Sequence, residues 1–169
     1  AFIVALTLLN KDSSIKIENV GLNETRIGFY QLLKKHGAKI KFSNLTKKNN
    51  ERYGDIIVKT SKLKPIKASS EYYVKSTDEY PILFIISSLI KGTSVFKGIN
   101  DLANKESNRI SEMQKVLKQM GVKSTFLNDE LKIFGKGMLI ASERKITVPN
   151  LGDHRICMSA FILAILTGA

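Results

Sequence analysis

Tryptophan is absent from this chain of 169 residues, proline occurs three times, histidine twice and cysteine once, at Cys157. A lone cysteine closes no internal disulfide and cannot build a thiolate metal cluster, so the sequence reads as intracellular. Long hydrophobic runs are also missing. Ala1 to Leu9, Ile82 to Ile90 and Ile156 to Leu166 all fall short of the roughly 18 to 20 apolar residues that span a bilayer, which argues against a membrane anchor. The first run lacks the positive start and small-residue cleavage site of a signal peptide. Acidic residues are scarce too: 15 Asp and Glu face 27 Lys and Arg, a formal charge of +12. Lysine carries most of that surplus and is spread over every polar stretch, the pattern of a solvated surface. Arginine is rare, confined to Arg26, Arg52, Arg109, Arg144 and Arg155. A chain that uses lysine almost everywhere keeps arginine where a planar, bidentate donor for carboxylate or phosphate is needed.

What is present is a hydrophobic share of 43%, ordinary for a globular chain and enough for a real core. No Pro/Gly/Ser-rich linker interrupts it, so residues 1–169 read as one domain. The chain opens inside an apolar segment without a helix cap and stops just after another, at Thr167, Gly168 and Ala169; it reads as part of a longer protein. An internal repeat is visible. Ile27 to Phe42, with Gly37 inside it, returns as Ile110 to Phe126, with Gly121. In the second copy Ile110, Met113, Val116, Leu117 and Met120 share one helical face, and Gly121 falls where a left-handed cap ends a helix. Alternation follows each helix: Ile40 and Phe42, then Asp55 to Val58, and in the second copy Phe126 and Leu127 meeting Leu131 to Phe134 across Asn128 and Asp129. Such patterns predict antiparallel strands. Before each copy stands a segment apolar nearly all round, Ala1 to Leu9 and Tyr80 to Ile90, and a third, Arg155 to Leu166, closes the chain. A helix of that kind must be enclosed on all sides. Short strands, Ile15 to Ile17 with Val20 and Thr93 to Phe96 with Ile99, follow the first two. Periodicity alone licenses an α/β or α+β domain with internal repeats.

Two of the apolar helices are entered through an acidic residue: Thr77-Asp78-Glu79-Tyr80-Pro81 and Gly152-Asp153-His154-Arg155. Both aspartates can be read as helix N-caps, with Pro81 in a first turn. Equally, a helix N-terminus offers free N–H groups and partial positive charge, and Asp153 is followed at once by His154 and Arg155, a setting suited to an anion. The third cluster is Lys105-Glu106-Ser107-Asn108-Arg109. As an i,i+3 ion pair on a helical first turn it would contribute only about 0.3 to 0.5 kcal/mol. Cations there oppose the helix dipole, so they make more sense facing a bound anion.

These residues carry a resemblance. Asp78-Glu79-Tyr80-Pro81-Ile82-Leu83, Lys105-Glu106-Ser107-Asn108-Arg109 and Asp153-His154-Arg155-Ile156 with Met158 and Ser159 resemble the later part of the EPSP synthase (3-phosphoshikimate 1-carboxyvinyltransferase) family. Asn23-Glu24-Thr25-Arg26-Ile27-Gly28 adds a fourth piece in the form of its class II branch. The resemblance implies an inside-out α/β barrel (an α/β prism) built from βαβαββ units around buried apolar helices. It also implies one of two domains, the other domain and a final segment with one more active-site lysine lying outside this sequence. The implied protein is a cytoplasmic monomer without metal or organic cofactor, whose partners are two small molecules, shikimate 3-phosphate and phosphoenolpyruvate, with neither nucleic acid nor membrane involved.

By resemblance, Asp78 is the catalytic aspartate at the shikimate hydroxyl and Glu106 the residue that shuttles a proton at the phosphoenolpyruvate methylene. Lys105 contacts shikimate 3-phosphate, while Arg109 and Arg155 clamp phosphoenolpyruvate with His154 nearby. The sequence departs from the family at Ala103 and Asn104, where Arg-Val is common, and at Asn108, where an Asp is usual; loss of that Asp is expected to loosen Arg109. Cys157, in place of Ala, reads as a small core residue. Two other readings stand beside this one. A UDP-N-acetylglucosamine enolpyruvyl transferase is disfavoured by the Asp-His-Arg triplet and the Lys-Glu-Ser-x-Arg pattern. A basic nucleic-acid-binding module would explain the charge, but the Tyr and Phe residues are not interleaved with the basic clusters as a stacking platform requires.

Overall fold

A computed structural model of the chain describes residues 1–138, 141–149 and 151–169. Its elements run α1 (Phe2–Leu9), β1 (Ser14–Gly21), α2 (Gly28–Lys35), β2 (Lys39–Lys48), β3 (Glu51–Lys59), β4 (Lys67–Ala68), α3 (Ser70–Val74), α4 (Tyr80–Ser88), β5 (Gly92–Lys97), α5 (Arg109–Gln119), β6 (Lys123–Leu127), β7 (Glu130–Gly135) and α6 (His154–Thr167). From α1 to β3 and from α4 to β7 the order is the same, helix, strand, helix, strand, strand; β4 precedes the second unit and α6 stands where a third begins. α2 and α5 are amphipathic and stop at glycines in the left-handed region, Gly37 (φ 100°) and Gly121 (φ 70°), as a chain turning back after a helix requires.

The strands form two open sheets, ordered β1-β3-β2 and β4-β5-β7-β6. All pairings are antiparallel except β4 with β5. In the first, Ile15 and Ile40 flank Val58 while Ile17 and Phe42 flank Ile56, which puts one hydrophobic row on the helix side because side chains alternate along a strand. In the second, Phe96 and Phe126 flank Leu131. Each inner hairpin turns on residues with positive φ, Asn49 with Asn50 and Asn128 with Asp129, the conformation that a two-residue turn matched to strand twist demands. Both edges of the first sheet bulge beside Asp55. That buried carboxylate holds the bulges by accepting from the Asn19 backbone N–H and the Asn44 side-chain amide.

The expected barrel is not what these residues form. The sheets remain open, and among the described residues helix enclosure is complete only for α4, whose nine residues are all buried. α6 keeps an apolar strip open, with Phe161 65% exposed between Met158 and Ile165. Among the described residues no strand of the first sheet pairs with one of the second, so the ladder does not close on itself.

At the start of α4, Tyr80 meets Tyr73, Phe84 and Phe96 edge to face, with centroids 5.3 to 5.9 Å apart. At Gly135 a Cβ would run into the Ile90 and Ser87 carbonyl oxygens; absence of a side chain is what lets the end of α4 sit on β7.

His36 ties the first unit to β4 of the second sheet. Its Nδ1 lies 2.8 Å from the Leu32 carbonyl and its Nε2 accepts from the Lys67 N–H at 3.0 Å, which fixes the neutral tautomer with hydrogen on Nδ1. His36→Phe keeps the volume but leaves the Lys67 N–H without its acceptor. The expected loss is about 1 to 3 kcal/mol, read as a lower urea midpoint at unchanged slope; an unchanged midpoint would remove this tie from the account.

Candidate active site

Arg109 is the first residue of α5, and Lys105 and Glu106 lie before the helix rather than on its first turn. Asn108 provides the reason: its side chain accepts from the Ser111 N–H at 3.0 Å and so sets the start of the helix. Asn and Asp cap equally well. The departure at Asn108 therefore leaves the cap intact, and the orientation of Arg109 comes from elsewhere.

It comes from three carboxylates. Arg109 is 1% exposed. Its Nε donates to Asp153 Oδ2 at 2.9 Å, its Nη2 to Glu106 Oε2 at 2.6 Å and its Nη1 to Asp78 Oδ1 at 3.4 Å. Asp78 accepts from a second arginine through its other oxygen, with Arg155 Nη2 at 3.2 Å. Residues from three separate stretches thus share one network.

The network has a fixed inner side and an open outer side. Asp153 is fully buried. Oδ2 accepts from Ser107 as well as Arg109, and Oδ1 accepts from the Arg155 N–H, the N-cap bond of α6. Burial pushes the Asp153 carboxyl up, but the hydrogen bonds from Arg109 and Ser107 outweigh it and hold the group below its ordinary value. On the outer side, the Asp78 and Glu106 side chains are 44% and 57% exposed. The bonds to these two carboxylates are the more exposed ones, while the buried Asp153 bond keeps the Arg109 guanidinium in place.

Of the two capping readings, one stands. Asp153 caps α6 and also holds Arg109. Asp78 is not a cap: it lies in a single 3-10 turn, Thr77–Glu79, ahead of α4, and its carboxylate goes to the arginines. Next to it, burial pushes the Glu79 carboxyl above its ordinary value, with the Arg155 charge pulling the other way. Lys105 is half-buried and its ammonium lies 2.6 Å from Asp101. His154 opens α6 and is exposed. Cys157 lies on α6 and is half-buried, its thiol 3.8 Å from the Leu151 carbonyl. Among the described residues, no group of three His, Cys, Asp or Glu side chains could hold a metal ion.

A family model described as EPSP synthase (3-phosphoshikimate 1-carboxyvinyltransferase) matches residues 1–169. The chain belongs to the EPSP synthase family. Its relatives include the 3-phosphoshikimate 1-carboxyvinyltransferase of Thermodesulfovibrio yellowstonii, 41% identical over 167 residues, covering 98% of this chain and 38% of that protein. The corresponding protein of Clostridium tetani is 37% identical over 159 residues, covering 94% of this chain and 36% of its own. A solved EPSP synthase from Acinetobacter baumannii matches with a TM-score of 0.91 at 32% identity, covering 99% of this chain and 39% of that one. The enolpyruvyl transferase NikO from Streptomyces tendae, at 12% identity and TM-score 0.63, shares the fold alone. The chain thus spans 36 to 38% of the length of these curated relatives.

Sequence reasoning weighed Asp153 as a cap or as part of an anion setting and missed Ser107 and Arg109 as its partners. The signal was there: both lie inside quoted motifs, and a serine and an arginine two residues apart are natural donors to a buried carboxylate.

Proposed function

We propose that this chain is one domain of a two-domain EPSP synthase, a monomeric cytoplasmic enzyme that transfers the enolpyruvyl group of phosphoenolpyruvate to the 5-hydroxyl of shikimate 3-phosphate. What carries the reading is the convergence of Asp78, Glu106, Arg109 and Arg155 on one partly open network within a chain of this family. In the addition step the hydroxyl oxygen bonds to C2 of phosphoenolpyruvate, the hydroxyl proton is lost and C3 gains a proton. In the elimination step the C2 to phosphate-oxygen bond breaks and C3 gives its proton back. Asp78 serves the hydroxyl; Glu106 gives and retakes the proton at C3. Arg109 and Arg155 hold the anionic groups of phosphoenolpyruvate, with His154 alongside, and Lys105 holds shikimate 3-phosphate. Addition and elimination of this kind need no metal or organic cofactor.

A chain of the relatives' full length that carries this segment should release phosphate from phosphoenolpyruvate only when shikimate 3-phosphate is present. Residues 1–169 alone should release none, since they supply one wall of a site that orients two substrates. Absence of release by the full-length chain, with both substrates saturating, would refute the reading.

A further inference from the structure

Lys105 is a long, flexible side chain at a point where the reading above needs a fixed charge, and the structure shows what fixes it. Its ammonium lies 2.6 Å from Asp101 Oδ2. The same oxygen accepts from the Tyr73 hydroxyl at 2.7 Å. An i,i+4 ion pair whose carboxylate is half in solvent is ordinarily loose; here both ends of the carboxylate's frame are anchored. Tyr73 is buried on α3, its ring packed edge to face on Tyr80, and its backbone carbonyl accepts from Thr77, next to Asp78. Asp101 belongs to the 3-10 stretch Asn100–Asn104. That stretch is pinned by fully buried Leu102 and by Asp129, which accepts from the Ile99 and Asn100 N–H groups at 2.7 Å each. Hydrogen bonds from Lys105 and then Tyr73 hold the Asp101 carboxyl below its ordinary value, so it stays ionised.

We propose that Asp101, braced by the Tyr73 hydroxyl, is the positioning residue that presents the Lys105 ammonium to shikimate 3-phosphate. The inference rests on Lys105 being a ligand of that substrate. Its physical content is preorganisation: an ammonium already held loses less freedom when the substrate binds. Tyr73 also packs against the ring two residues beyond Asp78, so the same brace sets Lys105 relative to the carboxylate assigned to the hydroxyl.

The test is steady-state kinetics in the full-length enzyme with Asp101→Asn, Tyr73→Phe, Lys105→Met and the two double variants that combine Lys105→Met with each of the others. Asn keeps an acceptor for Tyr73 and removes the charge; Phe keeps the ring packing and removes the hydroxyl. Asp101→Asn should raise KM for shikimate 3-phosphate roughly three- to tenfold and Tyr73→Phe somewhat less, with KM for phosphoenolpyruvate within about twofold of the parent. Both effects should vanish once Lys105 is Met, whereas a merely structural contribution persists in that background. An impaired Lys105→Met beside unaltered Asp101→Asn and Tyr73→Phe overturns the positioning role alone, as do effects that persist without Lys105. An unaltered Lys105→Met overturns the assignment of the lysine itself, and the positioning role with it.

Discussion

Asp153→Ala should cost about 3 to 5 kcal/mol of stability, the scale for removing one partner of a buried ion pair. Arg109 at 1% exposure cannot turn to water, and its remaining partners Asp78 and Glu106 are solvent-screened. The same substitution strips the α6 cap, worth about 1 kcal/mol, and leaves the Ser107 hydroxyl without its acceptor. Asp153→Asn keeps a cap and an acceptor, so its loss should be smaller and isolates the charge, and the difference between the two variants gives the cap and the acceptor. The pH dependence has a definite sign. Because the folded carboxyl is held below its ordinary value, its stabilisation is fully present above the unfolded pKa near 3.9 and is lost as pH falls through the lower folded value. Urea midpoints at pH 7 and at successively more acid pH check both statements. A loss below about 1 kcal/mol for Asp153→Ala would mean that Arg109 does not depend on this carboxylate.

Asp78→Asn and Glu106→Gln in the full-length enzyme should each lower kcat by a factor on the order of 10² to 10⁴. Stability should fall far less than on removal of Asp153. Asn and Gln keep an acceptor for the arginine N–H groups, both carboxylates are about half exposed, and Arg109 keeps the buried Asp153 as its partner; neither residue caps a helix. Activity and stability therefore separate, whereas a purely structural role links them. The two variants should also differ from each other. Glu106→Gln should suppress exchange of solvent deuterium into C3 of phosphoenolpyruvate, because that step needs a proton donor and acceptor at the methylene. Undiminished exchange in Glu106→Gln, or a melting loss large enough to explain the activity loss in Asp78→Asn, would return these residues to plain ion pairing.

Much of this was legible in the sequence because the physics was local. The 3.6 period of Ile110 to Met120, the stop at Gly121 and the Asn128-Asp129 turn each follow from a few neighbouring residues. β4 was invisible: two residues, Lys67 and Ala68, become a strand only because β5 lies parallel beside them. α3, five residues long, is too short to show a period. At the candidate site, the motifs marked the stretches that the network joins but not the pairing between them. Asp153 is a good cap in any sequence; that it also holds Arg109 depends on where α6 docks. The open strip on α6 was misjudged for the same reason, since an all-round apolar helix says it can be buried, not how much sheet is available to bury it.

The way the sheets close has a consequence for the order of assembly. The first sheet pairs strands between Ser14 and Lys59 and the second between Lys67 and Gly135, so each can zip within its own stretch of chain at modest loop-closure entropy. The arginine network has no such shortcut. Its bonds join residues 31, 44 and 77 positions apart, and two of them require α6, which packs on both α1 and α4. During synthesis the two sheets can form while α6 is still inside the ribosome. The ion-pair network therefore closes after both sheets, in a docking step that brings α6 against α1 and α4.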